Sequence, residues 1–270
     1  MSKFNILFTS ILLATIVFAC DTDEIKLLDE KEQVATKTCL IKSANHGYGI
    51  VYNFEYDNKK NLTKILGFAD FNTISYENSL PKKAESSLDK SYYINFQYDS
   101  KGALSLINFV GKDGLGKPFD FKSKVYTNAK KQAEKIDLLF PIFDTILETK
   151  MEYDTKGNLK KISVVEDGKS KPILENLSFD DKKSPYLNAP FSNIMLYFII
   201  ISSTVGGENT TYFANKNNPT STRIYSESGD ILYTYQYEYN TNGYPTKTKV
   251  IRKANGKEEA YEESFTYNCQ

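Results

Sequence analysis

His46 is the single histidine among the 270 residues and stands in Asn45-His46-Gly47-Tyr48. An imidazole there could act as a general base or a metal ligand. The glycine beside it is a turn former, so the simpler expectation is a polar residue in the first hairpin turn. A Ser-His-Asp or Cys-His triad would have to use His46, and the chain holds no Gly-x-Ser-x-Gly elbow. No second histidine exists to complete a zinc set of the common kind. Carboxylates are the other reactive groups. Asp180 with Asp181, or Glu258, Glu259, Glu262 and Glu263, could serve a glycan hydrolase, which needs two carboxyls ~5–10 Å apart. Asp180 and Asp181 fall at turn positions, however, and the glutamates read as the solvated part of a strand that also carries Tyr261 and Phe265. The glycines are spread through turns and form no phosphate loop. The twelve-residue ligand spacing of a calcium loop is also missing. The expectation is a protein that is not an enzyme, with no catalytic residues, no metal and no cofactor.

The remaining chemistry belongs to three cysteines. Lys3 opens a short positive segment, and Ile6 to Ala19 form a mostly apolar run of 14 residues. That run is too short for a membrane span, which takes ~20, but suits the core of a signal peptide. It ends Val17-Phe18-Ala19-Cys20, which resembles the lipobox of bacterial lipoproteins. The resemblance implies cleavage before Cys20 and a lipid on that cysteine, although Phe18 is bulkier than the usual residue at its place. An ordinary secretory peptide with an incidental Cys20, or an uncleaved anchor, is the alternative. Asp21 to Thr38 is polar and charged, so it reads as a flexible leash. Its start, Asp21-Thr22-Asp23-Glu24, resembles an export signal for the outer cell face, and equally reads as a plain solvated linker.

With Cys20 lipidated, Cys39 and Cys269 remain, one at each end of the folded part. An exported pair could bridge in an oxidising space. The bridge would close a loop of about 230 residues, worth roughly 4 to 5 kcal/mol in the chain-entropy model. It would also make the first and last strands neighbours, as in a closed or nearly closed barrel. Two unpaired thiols are the alternative.

Charges balance, with 34 basic and 34 acidic residues, so no basic face for nucleic acid is expected. Tyr and Phe number 20 and 17 while Trp is absent, a composition that favours strands half-buried on one face.

One turn keeps returning. It reads Tyr56-Asp57-Asn58-Lys59-Lys60-Asn61-Leu62, Tyr98-Asp99-Ser100-Lys101-Gly102-Ala103-Leu104 and Tyr153-Asp154-Thr155-Lys156-Gly157-Asn158-Leu159. Further copies begin at Phe179, Phe213, Tyr225 and Tyr239, which makes seven. The aromatic residue ends an alternating strand and should point inward. Asp or Asn bonds its own backbone to start the turn, and Gly or Asn tolerates positive φ at the tip. Asp113-Gly114, Asp167-Gly168 and Asn255-Gly256 lie between copies and read as tight hairpin connectors. The chain therefore reads as all-β, a repetitive antiparallel meander forming a large up-and-down barrel or half-barrel with one or two short helices. Residues 1–19 are the signal peptide, 20–38 the lipidated start and tether, and 39–270 one hairpin-repeat domain.

Two stretches depart from the meander. Ala129, Ala133, Ile136 and Phe140 share a helical face, so the spacing predicts a helix over Asn128 to Phe140, before Pro141. Pro190 to Ser202 carries the apolar run Ile194 to Ile201, which reads as a short buried helix. Within it Ile194, Leu196, Tyr197, Phe198 and Ile200 are a candidate plug or wall for an apolar ligand.

The hairpins, the Asp-Lys-Lys-Ser-Pro and Lys-Asn-Asn-Pro-Thr segments flanking the apolar run, and the lipobox resemble bacteroidete lipoproteins of unknown function with a porin-like barrel fold. More distantly, the hairpins are similar to the YD repeats of secreted toxin shells. The resemblance implies a many-stranded barrel, anchored by lipid to the outer membrane of a Gram-negative bacterium on its surface or periplasmic face. It supplies no catalytic residue. Two functions follow as expectations. One is a structural or interaction module with a protein or glycan partner. The other is a carrier holding a hydrophobic small molecule or lipid inside the barrel. A carboxylate-based hydrolase is the third and weakest, and filling of the interior separates the first two.

Overall fold

Along each strand the buried residues recur on one side, as period-two geometry requires. In Tyr93–Tyr98, for example, Ile94 and Phe96 are buried while Gln97 is exposed. The computed structural model describes residues 37–67, 71–113, 115–140, 145–188, 195–196, 199–200 and 209–270. Its first eight strands are β1 (Cys39–Asn45), β2 (Val51–Tyr56), β3 (Leu62–Leu66), β4 (Thr73–Glu77), β5 (Leu80–Glu85), β6 (Tyr93–Tyr98), β7 (Leu104–Lys112) and β8 (Pro118–Thr127). The other eight are β9 (Ala133–Phe140), β10 (Thr145–Tyr153), β11 (Leu159–Glu166), β12 (Lys169–Phe179), β13 (Pro219–Ile224), β14 (Ile231–Tyr239), β15 (Pro245–Ala254) and β16 (Lys257–Cys269). Each strand pairs antiparallel with the next, and β1 also pairs with β16, so the sheet closes into a barrel and not a half-barrel. Closure leaves no edge strand. Cys39 lies opposite Cys269 across this seam, and a disulfide joins them over 230 residues of sequence.

The repeated turn has one hydrogen-bond pattern. Asp99 accepts the amides of Lys101 and Ala103 on Oδ1, donates its own amide to Ala103 O, and accepts Gly102 N on its carbonyl. Asp57 and Asn240 repeat it between β2 and β3 and between β14 and β15. Asp113 repeats it at the opposite rim, so Asp113-Gly114 begins a longer turn closed by Lys117, not a two-residue connector. The tip takes positive φ, 70° at Gly102 and 65° at Lys60.

That turn also overrules the helix expected over Asn128 to Phe140. Asn128 accepts the amides of Lys130 and Gln132 as the aspartates do, and Lys131 takes the tip with φ 61°. Thr127 stands where the seven copies read from the sequence have Tyr or Phe, and no Gly marks the tip, so the copy is disguised in the sequence. From Ala133 the chain is strand β9, with Ile136 and Leu138 buried and ladder pairing to both β8 and β10. Pairing on two sides satisfies backbone groups that a surface helix would have had to satisfy alone.

The aromatics that end the strands fasten each hairpin to the next. Tyr76, Tyr98, Tyr153, Tyr237 and Tyr267 donate their hydroxyls to the carbonyls of Leu62, Pro81, Ala133, Pro219 and Pro245, at or next to the start of the preceding strand. These distances run from 2.6 Å for Tyr267 to 2.9 Å for Tyr76 and Tyr153. A buried phenol thus finds a partner without breaking the ladder.

The segment between β12 and β13 turns inward. Met195, Leu196, Ile199 and Ile200 are helical and buried, in one core cluster with strand residues such as Phe54, Ile94, Phe96 and Leu174. Tyr186 and Phe213 from the same segment belong to that cluster. Residues 37–270 therefore contain the closed ring, its disulfide and the whole described core.

Candidate functional site

His46 begins the turn between β1 and β2, the first hairpin turn as expected, and at 8% exposed its side chain lies in the core. Its Nδ1 is 3.0 Å from Glu263 Oε1 and its Nε2 is 2.8 Å from the Tyr186 hydroxyl. The Tyr212 hydroxyl stands 3.3 Å from Nδ1. Burial first, and then the charge of Glu263, holds the phenols of Tyr186 and Tyr212 well above their ordinary range. A phenol kept protonated can donate to Nε2, which leaves Nδ1–H for Glu263. Tyr52, Phe213 and Phe265 surround the ring with centroids 5.5 to 5.9 Å away. Both ring nitrogens are engaged and the ring is enclosed. The cluster ties the β1–β2 turn, strand β16 and the inserted segment together.

Glu263 is a correction. Glu258, Glu259 and Glu262 are exposed, as expected of a solvated strand, but Glu263 is 9% exposed. The signal was present in the alternation Tyr261, Glu263, Phe265, three residues on one side of β16. Tyr186 and Tyr212 carried no signal, because they reach His46 across 140 and 166 residues of chain. Asp180 and Asp181 sit at a turn as anticipated. Asp180 accepts the Tyr239 hydroxyl and bonds Asn218, while Asp181 pairs with Lys182 at the surface. Among the described residues no three His, Cys, Asp or Glu side chains gather to hold a metal ion.

Of the apolar plug, Leu196 and Ile200 are 5% and 0% exposed within the barrel core. Ile194, Tyr197 and Phe198 lie outside the described residues, as do Cys20 and the tether up to residue 36.

Among the described residues, two clefts lie at the rim that carries Cys39 and Cys269. One, of about 410 Å³, lies by the β4–β5 and β6–β7 turns, with Glu77, Lys82 and Asp99 on its wall. The other, of about 350 Å³, lies between the β8–β9 and β10–β11 turns and the inserted segment. Its floor holds Tyr153, Leu196 and Phe213, and its mouth Lys130, Lys131 and Lys216.

The outer face is built from charge pairs that bridge neighbouring strands. Lys64 meets Glu55 at 2.9 Å, Lys135 meets Glu148 at 2.9 Å, Lys247 meets Glu262 at 2.7 Å and Lys253 meets Glu258 at 2.9 Å. Such exposed pairs add little stability each. They do set the character of the surface.

No family model matches the sequence, and no curated protein matches it. Among solved structures, the chain is similar to a porin-like protein from Bacteroides uniformis ATCC 8492. The TM-score is 0.53 at 13% identity, covering 85% of this chain and 98% of that one. A porin-like protein from Bacteroides vulgatus ATCC 8482 gives a TM-score of 0.49 at 12% identity, covering 86% and 99%. At this identity the first likeness carries the fold alone, a closed antiparallel barrel of sixteen strands in this chain.

Proposed function

We propose that this chain is a lipid-anchored envelope protein, held through Cys20 at the outer membrane, whose filled barrel presents its rims to a partner. The observation that carries this reading is the pairing of a packed interior with a charged exterior. A barrel that spans a bilayer shows an apolar band outward. Here Glu55, Lys64, Lys135, Glu148, Lys247 and Glu262 pair across neighbouring strands on the outer face, with exposed apolar residues such as Leu66, Ile146 and Leu177 set among such charges, while the core cluster lies inside. Attachment to the envelope then falls to a lipid on the N-terminal cysteine, a role that fits the lipobox-like Val17-Phe18-Ala19-Cys20. Tyr186, Leu196, Ile200 and Phe213 of the inserted segment belong to the buried core cluster, which favours the interaction module over a carrier using the interior. The engaged nitrogens of His46 favour a binding or scaffolding role over catalysis.

The test is detergent-phase partitioning of the protein from its host after labelling with a lipid precursor. Wild type should carry label and enter the detergent phase, and Cys20→Ala should lose the label and stay in the aqueous phase. Label persisting on Cys20→Ala would overturn the anchor. An unlabelled variant that still enters the detergent phase would overturn the water-facing barrel.

A further inference from the structure

The cleft of about 350 Å³ at the disulfide rim is not used by the reading above. Every charged group on its described wall is a lysine: Lys130 and Lys131 from the β8–β9 turn, and Lys216 from the end of the inserted segment. The β10–β11 turn lies beside that ammonium, since a Cβ added at Gly157 would stand 3.3 Å from Lys216 Nζ. A second donor belongs to the same wall. Asn215 lines the cleft, is 3% exposed, and accepts the Leu159 amide on Oδ1 at 2.7 Å. Its buried Nδ2 has no partner. A buried amide donor left without a partner is unfavourable, so an oxygen acceptor supplied by a ligand would be gained against that loss. Gln132, also on the wall, is already satisfied by Asn128 and by Gly157 O. Asp99 stands outside this wall, in the neighbouring β6–β7 turn, where Lys131 Nζ comes close to Gly102 and its charge helps lower the Asp99 carboxyl.

Below these donors the floor is apolar, with Phe213 and Leu196 buried and Tyr153 packed against the core, its hydroxyl engaged by Ala133 O. Donors without acceptors above an apolar floor match one ligand class. We propose that this cleft binds an anionic amphiphile: a carboxylate or phosphate head held by Lys130, Lys131, Lys216 and Asn215, with a short apolar chain laid on Phe213, Leu196 and Tyr153. The volume lies at the small end of ligand pockets, so it suits a head and a few carbons and not a whole diacyl lipid. The other rim cleft, with Glu77 and Asp99 on its wall, lacks this one-sided chemistry. The inference does not depend on the anchor at Cys20.

Residues 37–270, exported so that Cys39 and Cys269 pair, are titrated with octanoate and octyl phosphate by calorimetry. Octanol and inorganic phosphate are the controls. The expected result is binding of both amphiphiles with each control at least about tenfold weaker, a difference of about 1.4 kcal/mol. Replacing Lys130, Lys131 and Lys216 together by Gln should weaken the amphiphiles by a similar factor without moving the urea midpoint, because the three side chains are exposed. Asn215→Asp keeps the acceptor for Leu159 N but turns the free donor into a repelling oxygen, and should weaken binding likewise. Octanol binding as tightly as octanoate, unchanged affinity in the lysine variant, or no binding of either amphiphile at millimolar concentration would each overturn the proposal. Vesicles of phosphatidylglycerol separate the sources. Sedimentation of wild type and not of the lysine variant would assign the head to a membrane lipid, and binding of octyl phosphate without sedimentation would assign it to a free amphiphile.

Discussion

Asp180 and Asn218, separated by 38 positions, make the bonds to each other that Asp154 and Asn158 make within one turn. In both pairs the Asn amide nitrogen donates to Asp Oδ1 and the Asn side chain to Asp Oδ2, and the Asp amide donates back to the Asn carbonyl. The inserted segment is thus a loop grown inside one copy of the repeated turn. The copies read separately at Phe179 and Phe213 are the two lips of a single turn, and β12 and β13 on either side still pair antiparallel, with register shifts around Ser178.

This closure predicts that Asp180→Ala loosens the segment as well as the turn. The substitution strands the Asn218 and Lys182 amides and the Tyr239 hydroxyl. The expected loss is about 2–3 kcal/mol in urea unfolding. Hydrogen exchange should quicken around Phe213, on the plug, and not in β5 and β6. Unchanged exchange at Phe213 would mean that the plug is held without the split turn.

The aspartate turns predict acid sensitivity. Hydrogen bonds from the Asn61 side chain and amide hold the Asp57 carboxyl below its ordinary 3.8, and the Ala103 amide does the same for Asp99 against partial desolvation. A carboxyl with a depressed folded pKa contributes stability that is present above its unfolded value and lost as pH falls through the folded one. The urea midpoint should therefore drop as pH falls below about 3.8. Asn128 and Asn240 perform the same role with an amide, so the double variant Asp57→Asn, Asp99→Asn should fold and show a shallower acid loss. An identical acid slope in wild type and variant would refute this source.

The tyrosine latches predict opposite outcomes for one chemical change. Tyr237→Phe removes the partner of Pro219 O and should cost about 1–2 kcal/mol. Tyr56 is buried like the others, yet its hydroxyl has no partner, so Tyr56→Phe should be neutral or stabilising. Equal losses in the two variants, measured by chemical unfolding, would contradict the latch.

The seam predicts a strong redox dependence. The disulfide between Cys39 and Cys269 closes a loop of 230 residues, worth about 5 kcal/mol in the chain-entropy model. Reductant should lower the urea midpoint of wild type and leave that of Cys39→Ser, Cys269→Ser unmoved. A wild-type midpoint indifferent to reductant would show that β1 and β16 hold by their ladder alone.

The fold was largely legible because its signals are local. Tyr98, Asp99, Gly102 and Leu104 lie within seven consecutive residues, and each acts on backbone a few positions away, so strand end, turn and return could be read in order. Asn128 to Phe140 was misread for the same reason: with Thr127 and Lys131 in the places of Tyr and Gly, the local signal failed, and only pairing with β8 and β10 decides for strand. Barrel closure was half legible, through the positions of Cys39 and Cys269 at the two ends of the domain.

The sites depend on contacts that no local pattern encodes. His46, Tyr186, Tyr212 and Glu263 meet because the inserted segment folds back into the ring, and the rim cleft joins Lys131 to Lys216 in the same way. By itself the sequence determined strands, turns, their order and the chemistry available, since these follow from alternation and short-range hydrogen bonds. Tertiary structure decided which polar residues are buried, which donors stay open and what fills the barrel, because burial is a property of the closed ring and its plug and not of any one strand.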